Sequence, residues 1–371
     1  VDFTPQGDDG LHIAGVFWDG SDIYVGTSAG LLVSTDNGAS FNLYRIGGIP
    51  DTEAIASFTG AKANGSHRFF AVTLGKTDVW PGITGAEMTE YRGTYRLNWG
   101  EADWTPVVNG LPGSAHPFFV AMAADNTEVA YLAGSDIENY VPVVYKTING
   151  GDTWNSVFQT TTNQNIATGW CGYDGDVGWW WPEFALGFAV CSIDADRAVI
   201  TDLGFVHVTQ DGGATWQQAY VDPNYENPAG SSTPKGNVYK GAGVEDTTAW
   251  WIHWAGENII AAFTDINGIL STDSGNTWSS GISHGLPHHS TYHIIEHPST
   301  GDLFAATATV HDLYQSMFLT DYRIDIGVGN VMRSCDQGLN WSTFEELGHP
   351  VVWLSMDPND SNTLYASVVH S

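Results

Sequence analysis

Ser271-Thr-Asp-Ser-Gly-Asn-Thr-Trp278 is one of five versions of a single eight-residue phrase in this chain. The others are Ser34-Thr-Asp-Asn-Gly-Ala-Ser-Phe41, Thr147-Ile-Asn-Gly-Gly-Asp-Thr-Trp154, Thr209-Gln-Asp-Gly-Gly-Ala-Thr-Trp216 and Ser334-Cys-Asp-Gln-Gly-Leu-Asn-Trp341. Aligned on the Asp or Asn in third place, the last four copies are spaced by 62, 62 and 63 residues, and the first lies 113 residues before the second. That gap of nearly two periods holds a degenerate copy, Tyr95-Arg-Leu-Asn-Trp-Gly-Glu-Ala-Asp-Trp104, which keeps the final Trp and has lost the Asp-x-Gly. Self-similarity at a fixed period marks a repeat architecture. Each phrase reads as a hairpin turn. The Asp or Asn side chain bonds back to nearby N–H groups, Gly takes a positive φ, and the aromatic fills the space between neighbouring sheets.

Between the turns, short apolar or alternating runs bounded by Gly, Asp and Pro read as strands. Examples are residues 13–18 and 23–26, and residues 292–297 and 303–307. Four strands per unit make a propeller blade. The expected fold is all-β, a seven-bladed β-propeller forming one domain over residues 1–371, with blades near 11–45, 53–109, 117–158, 186–220, 247–280, 291–346 and 350–371. The seventh blade is expected to be incomplete, because residues 351–356 and 364–369 supply only its first two strands. On that ground the chain is read either as the N-terminal part of a longer polypeptide, the favoured reading, or as a ring partly closed by its first ten residues.

The wording and spacing of the turns resemble the Asp-box of the sialidase and BNR superfamily, as it occurs in sialidases, sortilin-type domains and xyloglucan-active endoglucanases. The resemblance covers roughly residues 11–371. It speaks for fold and little for chemistry. It also implies which face carries a ligand: the one built from the links between blades and the turns joining second to third strands, opposite the Asp-boxes.

Composition narrows the partners. Twelve Lys and Arg stand against 42 Asp and Glu, a net charge of −30, so nucleic acid and anionic membrane surfaces would meet a repelling field. No run is apolar and long enough to insert into a membrane. Composition and resemblance together suggest a secreted, extracellular protein, with Val1 as a processed start. No cofactor is required, and structural Ca²⁺ is compatible with the acidic surface. Three cysteines are too few for a disulfide framework; Cys171 and Cys191 are a candidate pair, leaving Cys335 over.

Four loops on the ligand face are long, at residues 76–91, 160–187, 221–246 and 309–330, and long loops in compact domains tend to be functional. The first contains Trp80. The second contains Trp170, Tyr173, Asp174, Asp176, Trp179, Trp180 and Trp181, a density of aromatic planes and carboxylates suited to stacking and bonding sugar rings. Filling gaps between blades is the alternative use for those indoles. The fourth gathers His311, Asp312, Tyr314 and Arg323, groups fit for acid/base work or for clamping an anionic sugar, and equally fit for holding a long loop in place.

Two short turns on the same face are alike, Thr201-Asp-Leu-Gly204 and Thr264-Asp-Ile-Asn-Gly268. The second is similar to the Thr-Asp-Ile-Gly-Gly turn that carries the general base in xyloglucan-active endoglucanases, departing from it at Asn267. The resemblance makes Asp265 a candidate base, with Asp202 behind it; each Asp also suits capping its own turn. His12, His116, His293 and His349 all open or precede a first strand, where they fit either a metal site or hydrogen bonds between blades.

A sialidase is disfavoured, since Tyr44-Arg-Ile-Gly47 follows the first turn and lacks the proline of that family's Arg-Ile-Pro motif. The leading expectation is a glycoside hydrolase acting on a polysaccharide or oligosaccharide, with an acid/base pair drawn from Asp174, Asp176, Asp265 and Asp312. A polysaccharide lyase using His311, Tyr314 and Arg323 on a uronate is the second. A non-catalytic propeller that binds glycan or protein is the third.

Overall fold

The computed structural model describes residues 12–75, 90–169, 185–202, 204–231, 237–241, 248–279, 285–310, 322 and 325–369. The described residues fall into two compact units. One lies within Val1–Ala167, Gly178–Ala219 and Pro228–Ser231, and the other within Thr168–Val177, Tyr220–Asn227 and Ser232–Ser371.

In the first unit four sheets follow one another along the chain. The first comprises β1 (Ile13–Asp19), β2 (Asp22–Thr27), β3 (Gly30–Ser34) and β4 (Asn42–Tyr44). The second comprises β5 (Glu53–Ala63), β6 (Ser66–Gly75), β7 (Tyr91–Asn98) and β8 (Thr105–Pro106), and the third β9 (Ala115–Ala121), β10 (Ala130–Asp136), β11 (Val141–Thr147) and β12 (Asn155–Ser156). The fourth is preceded by the short β13 (Ile166–Ala167) and runs through β14 (Gly187–Cys191), β15 (Asp194–Thr201), β16 (Val206–Thr209) and β17 (Trp216–Gln218). All are antiparallel meanders in chain order, except that β13 adds to the fourth sheet in parallel beside β17.

The second unit holds β18 (Ala249–Ala255), β19 (Asn258–Phe263) and β20 (Gly268–Ser271) in one sheet. The next is β21 (Ser290–Glu296), β22 (Leu303–Ala308), β23 (Asn330–Ser334) and β24 (Ser342–Glu346), and β25 (Val351–Met356) and β26 (Leu364–Val368) form the last. The β18 sheet has three strands where the repeat led us to expect four. Main-chain bonding at Trp278 goes to Tyr239 in both directions, at 2.7 and 2.8 Å, and the fourth strand shrinks to a single bridge between Leu270 and Ser279.

Within each unit the core lies between successive sheets. A strand buried on both faces sends alternate side chains to opposite neighbours, and it reads as a continuous apolar run. In β6, Phe69 and Ala71 pack with Phe17 and Tyr24 of the first sheet, while Phe70 and Val72 pack with Val120 and Leu132 of the third. In β22, Leu303 and Ala305 join Ile260 and Leu270, whereas Phe304 and Ala306 join Val351 and Leu354.

The repeated turns share one bonding scheme. Ser34 Oγ donates to Asp36 Oδ1 at 2.7 Å and accepts from Gly38 N at 2.9 Å, and Asp36 Oδ1 also accepts from Ser40 N at 2.9 Å. The same three bonds recur around Thr147 and Asn149, Thr209 and Asp211, Ser271 and Asp273, and Ser334 and Asp336. In the third and fourth sheets the Trp that ends the turn ties its sheet to the preceding link. Trp154 N donates to Asn109 O and its indole N–H to Val107 O, and Trp216 repeats both bonds with Asn165 O and Val157 O. Gly110, at φ +92°, lets the link pass against this Trp, since a Cβ there would lie 2.2 Å from Trp154 O.

The bonds from the Ser40 hydroxyl and amide hold the Asp36 carboxyl down at about 2. The Thr277 amide and hydroxyl likewise hold Asp273 below the usual carboxylate range. A carboxylate depressed by folding stabilises the fold above its unfolded value, and that contribution is lost as pH falls through the folded value. For Asp36 the window runs from 3.8 down to about 2. Asp36→Asn is expected to keep the turn, as Asn149 does in the second of the five copies, and to weaken the acid-induced fall of the thermal midpoint in that window. Melting curves at neutral pH and across the window check it, and an unchanged acid dependence would refute it.

Candidate functional site

Of the residues singled out as catalytic, Asp265 lies among the described residues. Asp174, Asp176, His311, Asp312, Tyr314 and Arg323 lie outside them, as do Trp80, Trp170, Tyr173, Trp179, Trp180 and Trp181.

Asp265 sits in the turn from β19 to β20. Backbone bonds close this turn by themselves, from Ile266 N to Thr264 O at 2.8 Å, Gly268 N to Ile266 O at 2.7 Å and Phe263 N to Asn267 O at 3.1 Å. So tight a course puts two non-glycine residues in the left-handed region, Asp265 at φ +69° and Asn267 at φ +63°. Asp and Asn tolerate that conformation better than other side chains, at a cost in strain that the surroundings must hold. Thr264 is fully buried, with its Oγ1 accepting from the Trp250 indole at 2.7 Å, and Asn267 N donates to His289 O at 2.9 Å. Trp250 is braced edge-on by Tyr292 at 5.0 Å, and the Tyr292 hydroxyl donates to Val310 O at 2.9 Å. Asp265 itself is half-buried. A carboxylate is thus presented at the end of a rigid, strained turn.

The turn that looks most similar in sequence is built differently. Asp202 is 7% exposed, and its Oδ1 accepts from Gly204 N at 2.9 Å and Phe205 N at 2.6 Å, so the side chain caps its own turn. Its Oδ2 is buried without a hydrogen-bond partner. Burial pushes its pKa up to about 7, against the pull of the two amides. A carboxyl raised by folding binds its proton more tightly in the folded chain. Its contribution to stability is therefore complete below its usual 3.8 and is lost as pH rises toward about 7. The stability difference between wild type and Asp202→Asn is expected to follow that slope, spanning on the order of 4 kcal/mol. Buried His207, pushed down to about 3, slopes the other way in both proteins and cancels in the difference. Urea midpoints across this range test it; a flat difference curve would show that no buried charge is being created.

Two of the four aligned histidines, His12 and His293, serve as ties between sheets. His12 Nε2 is 3.0 Å from Ala56 O. His293 Nδ1 accepts from Leu354 N at 3.2 Å, and its ring stacks on Trp353 at 3.7 Å. Among the described residues no three His, Cys, Asp or Glu side chains gather closely enough to hold a metal ion. Cys191 and Cys335 are free thiols, which corrects the expected Cys171–Cys191 pairing; Cys191 ends β14 at the turn into β15. The sequence reading passed over Trp250, His288 and His289. Trp250 stood in an apolar strand with Trp251. His288 is held below its usual range by burial, against a bond to Asn330.

No protein-family model matches the sequence, and no curated protein matches it. Solved structures do. A GH74 enzyme of Niastella koreensis aligns with 96% of this chain and 46% of its own length, at a TM-score of 0.59 and 14% identity. The GH74 xyloglucanase of Xanthomonas campestris aligns with 90% of this chain and 43% of its own, at 0.52 and 15% identity. An ancestral GH74 enzyme aligns with 97% and 55%, at 0.51 and 15% identity. The chain spans about half the length of these structures. At such identity the likeness speaks for the fold, which is that of a β-propeller.

Proposed function

We propose that this protein is a secreted, Asp-box-type glycoside hydrolase that cleaves a polysaccharide, with Asp265 as the general base. The observation that carries the role is the turn itself. The bonds that close it run between backbone groups and hold Asp265 in a costly backbone conformation, and such strain clusters at functional sites. A base placed this way removes a proton from the attacking water while a second carboxyl group protonates the departing sugar oxygen. Asp174, Asp176 and Asp312 are the candidates for that second group. The GH74 structural neighbours, one of them a xyloglucanase, support a glycan as the partner.

The experiment is to incubate the protein with xyloglucan, an unbranched β-glucan and a uronate polysaccharide, and to follow new reducing ends together with ultraviolet absorbance. New reducing ends without absorbance support hydrolysis. A rise in absorbance assigns a lyase instead, and binding with neither signal leaves a glycan-binding propeller.

A further inference from the structure

We infer that a cavity between the first and second sheets is a binding site for a single neutral pyranose ring. The cavity has a volume of about 150 Å³, the scale of one sugar ring and too small for two. Its floor is apolar, from Ile55 and Trp104, and its walls carry Tyr44, Arg45, Asp51 and Glu53.

Two features show that the polar groups are set for a ligand. The Glu53 carboxylate is fixed in orientation, because Oε2 accepts both from Thr73 Oγ1 at 2.6 Å and from Tyr95 OH at 2.9 Å. Its Oε1 is left as the remaining acceptor. Arg45 is the second. In a chain with 42 acidic residues, Arg68, Arg92, Arg96, Arg197 and Arg333 each hold a carboxylate. Arg45 is the described arginine that does not, although two carboxylate side chains line the same cavity.

The mixture of charges selects the ligand class. A guanidinium repels a metal ion, and two carboxylates repel an anion. Vicinal hydroxyls satisfy both sets, accepting from the planar fork of Arg45 and donating to Glu53. The Tyr44 ring is 43% exposed and braced edge-on by Trp99 at 5.4 Å, which offers an aromatic plane to the C–H face of a sugar. None of the residues that line the cavity belongs to the Asp265 turn, and the inference stands whether or not the protein cleaves glycan.

The test uses the intact chain with D-glucose, D-xylose and D-galactose as probes, followed by saturation-transfer NMR and calorimetry. At least one should bind saturably in the millimolar range, as expected for so few ligand atoms. Arg45→Gln and Glu53→Gln should each weaken that binding at least tenfold. Ala29→Leu, which places bulk at the cavity wall, should do the same, with the thermal midpoint showing that each variant is folded. Asp265→Asn should leave sugar binding unchanged, which separates this site from the catalytic reading. Absence of saturable binding by all three sugars, or binding indifferent to the cavity variants, would overturn the inference. So would binding of calcium or inorganic phosphate in place of sugar.

Discussion

Asp265→Asn is expected to lower the rate of glycan cleavage by about a hundred- to ten-thousand-fold, the usual contribution of a positioned general base. The substitution is chosen so that little else changes. Asn is nearly the same size and is among the few residues at ease at φ +69°, the angle Asp265 adopts. The turn is closed by backbone bonds at Ile266, Gly268 and Phe263, which do not involve the carboxylate, so the thermal midpoint should stay close to that of wild type. Asp265→Gly, which opens room for an anion and tolerates the same φ, should recover part of its lost rate with azide or formate acting as an external base. Initial rates on the substrate that yields reducing ends, measured beside melting curves, decide the matter. Full activity in the variant removes Asp265 from the mechanism. Lost activity with a lowered midpoint would make the residue a structural strut.

Asp202 and Asp265 show where sequence reading stops. Both follow a Thr at the end of a second strand, and both suit a base or a cap equally well on paper. The difference lies in how the next two residues turn. Gly204 and Phe205 aim their amides at the Asp202 carboxylate, whereas Asn267 goes left-handed and its turn closes on carbonyls. That choice depends on packing against Trp250 and His289, which is tertiary. The eight-residue turns were legible for the opposite reason, since the side-chain bonds that shape the turn from Ser34 to Ser40 are local. Arg45 entered the sequence reading only as part of Tyr44-Arg-Ile-Gly47, and nothing there marked it as lining a cavity. Its meaning comes from the other described arginines being paired, and partners such as Arg68 and Glu128 stand 60 residues apart. The long aromatic and acidic loops that drew attention in sequence contain most of the proposed chemistry, and the described turn at Asp265 is the part of it whose geometry is fixed by backbone.

Trp216→Ala is expected to cost about 3–5 kcal/mol of stability, the range for removing a large buried aromatic. Trp216 is 0% exposed, meets Phe158 edge-on at 5.3 Å and donates its indole N–H to Val157 O at 2.7 Å. Truncation opens a cavity and removes one of the two bonds on that carbonyl, the other coming from Asn165 Nδ2 at 2.8 Å. Because Trp216 N also holds Asn165 O at 2.8 Å, the link entering the fourth sheet should loosen with it. Trp216→Phe separates the contributions, since it keeps much of the ring volume and loses the indole bond, for a smaller cost of about 1–3 kcal/mol. Trp278→Ala supplies the comparison within the repeat. That indole is only half-buried, so the loss should be well below that at Trp216. Urea denaturation of the three variants gives the order Trp216→Ala, then Trp216→Phe and Trp278→Ala as the milder pair. Equal midpoints for Trp216→Ala and Trp278→Ala would mean that the terminal Trp is not the tie between a sheet and its preceding link.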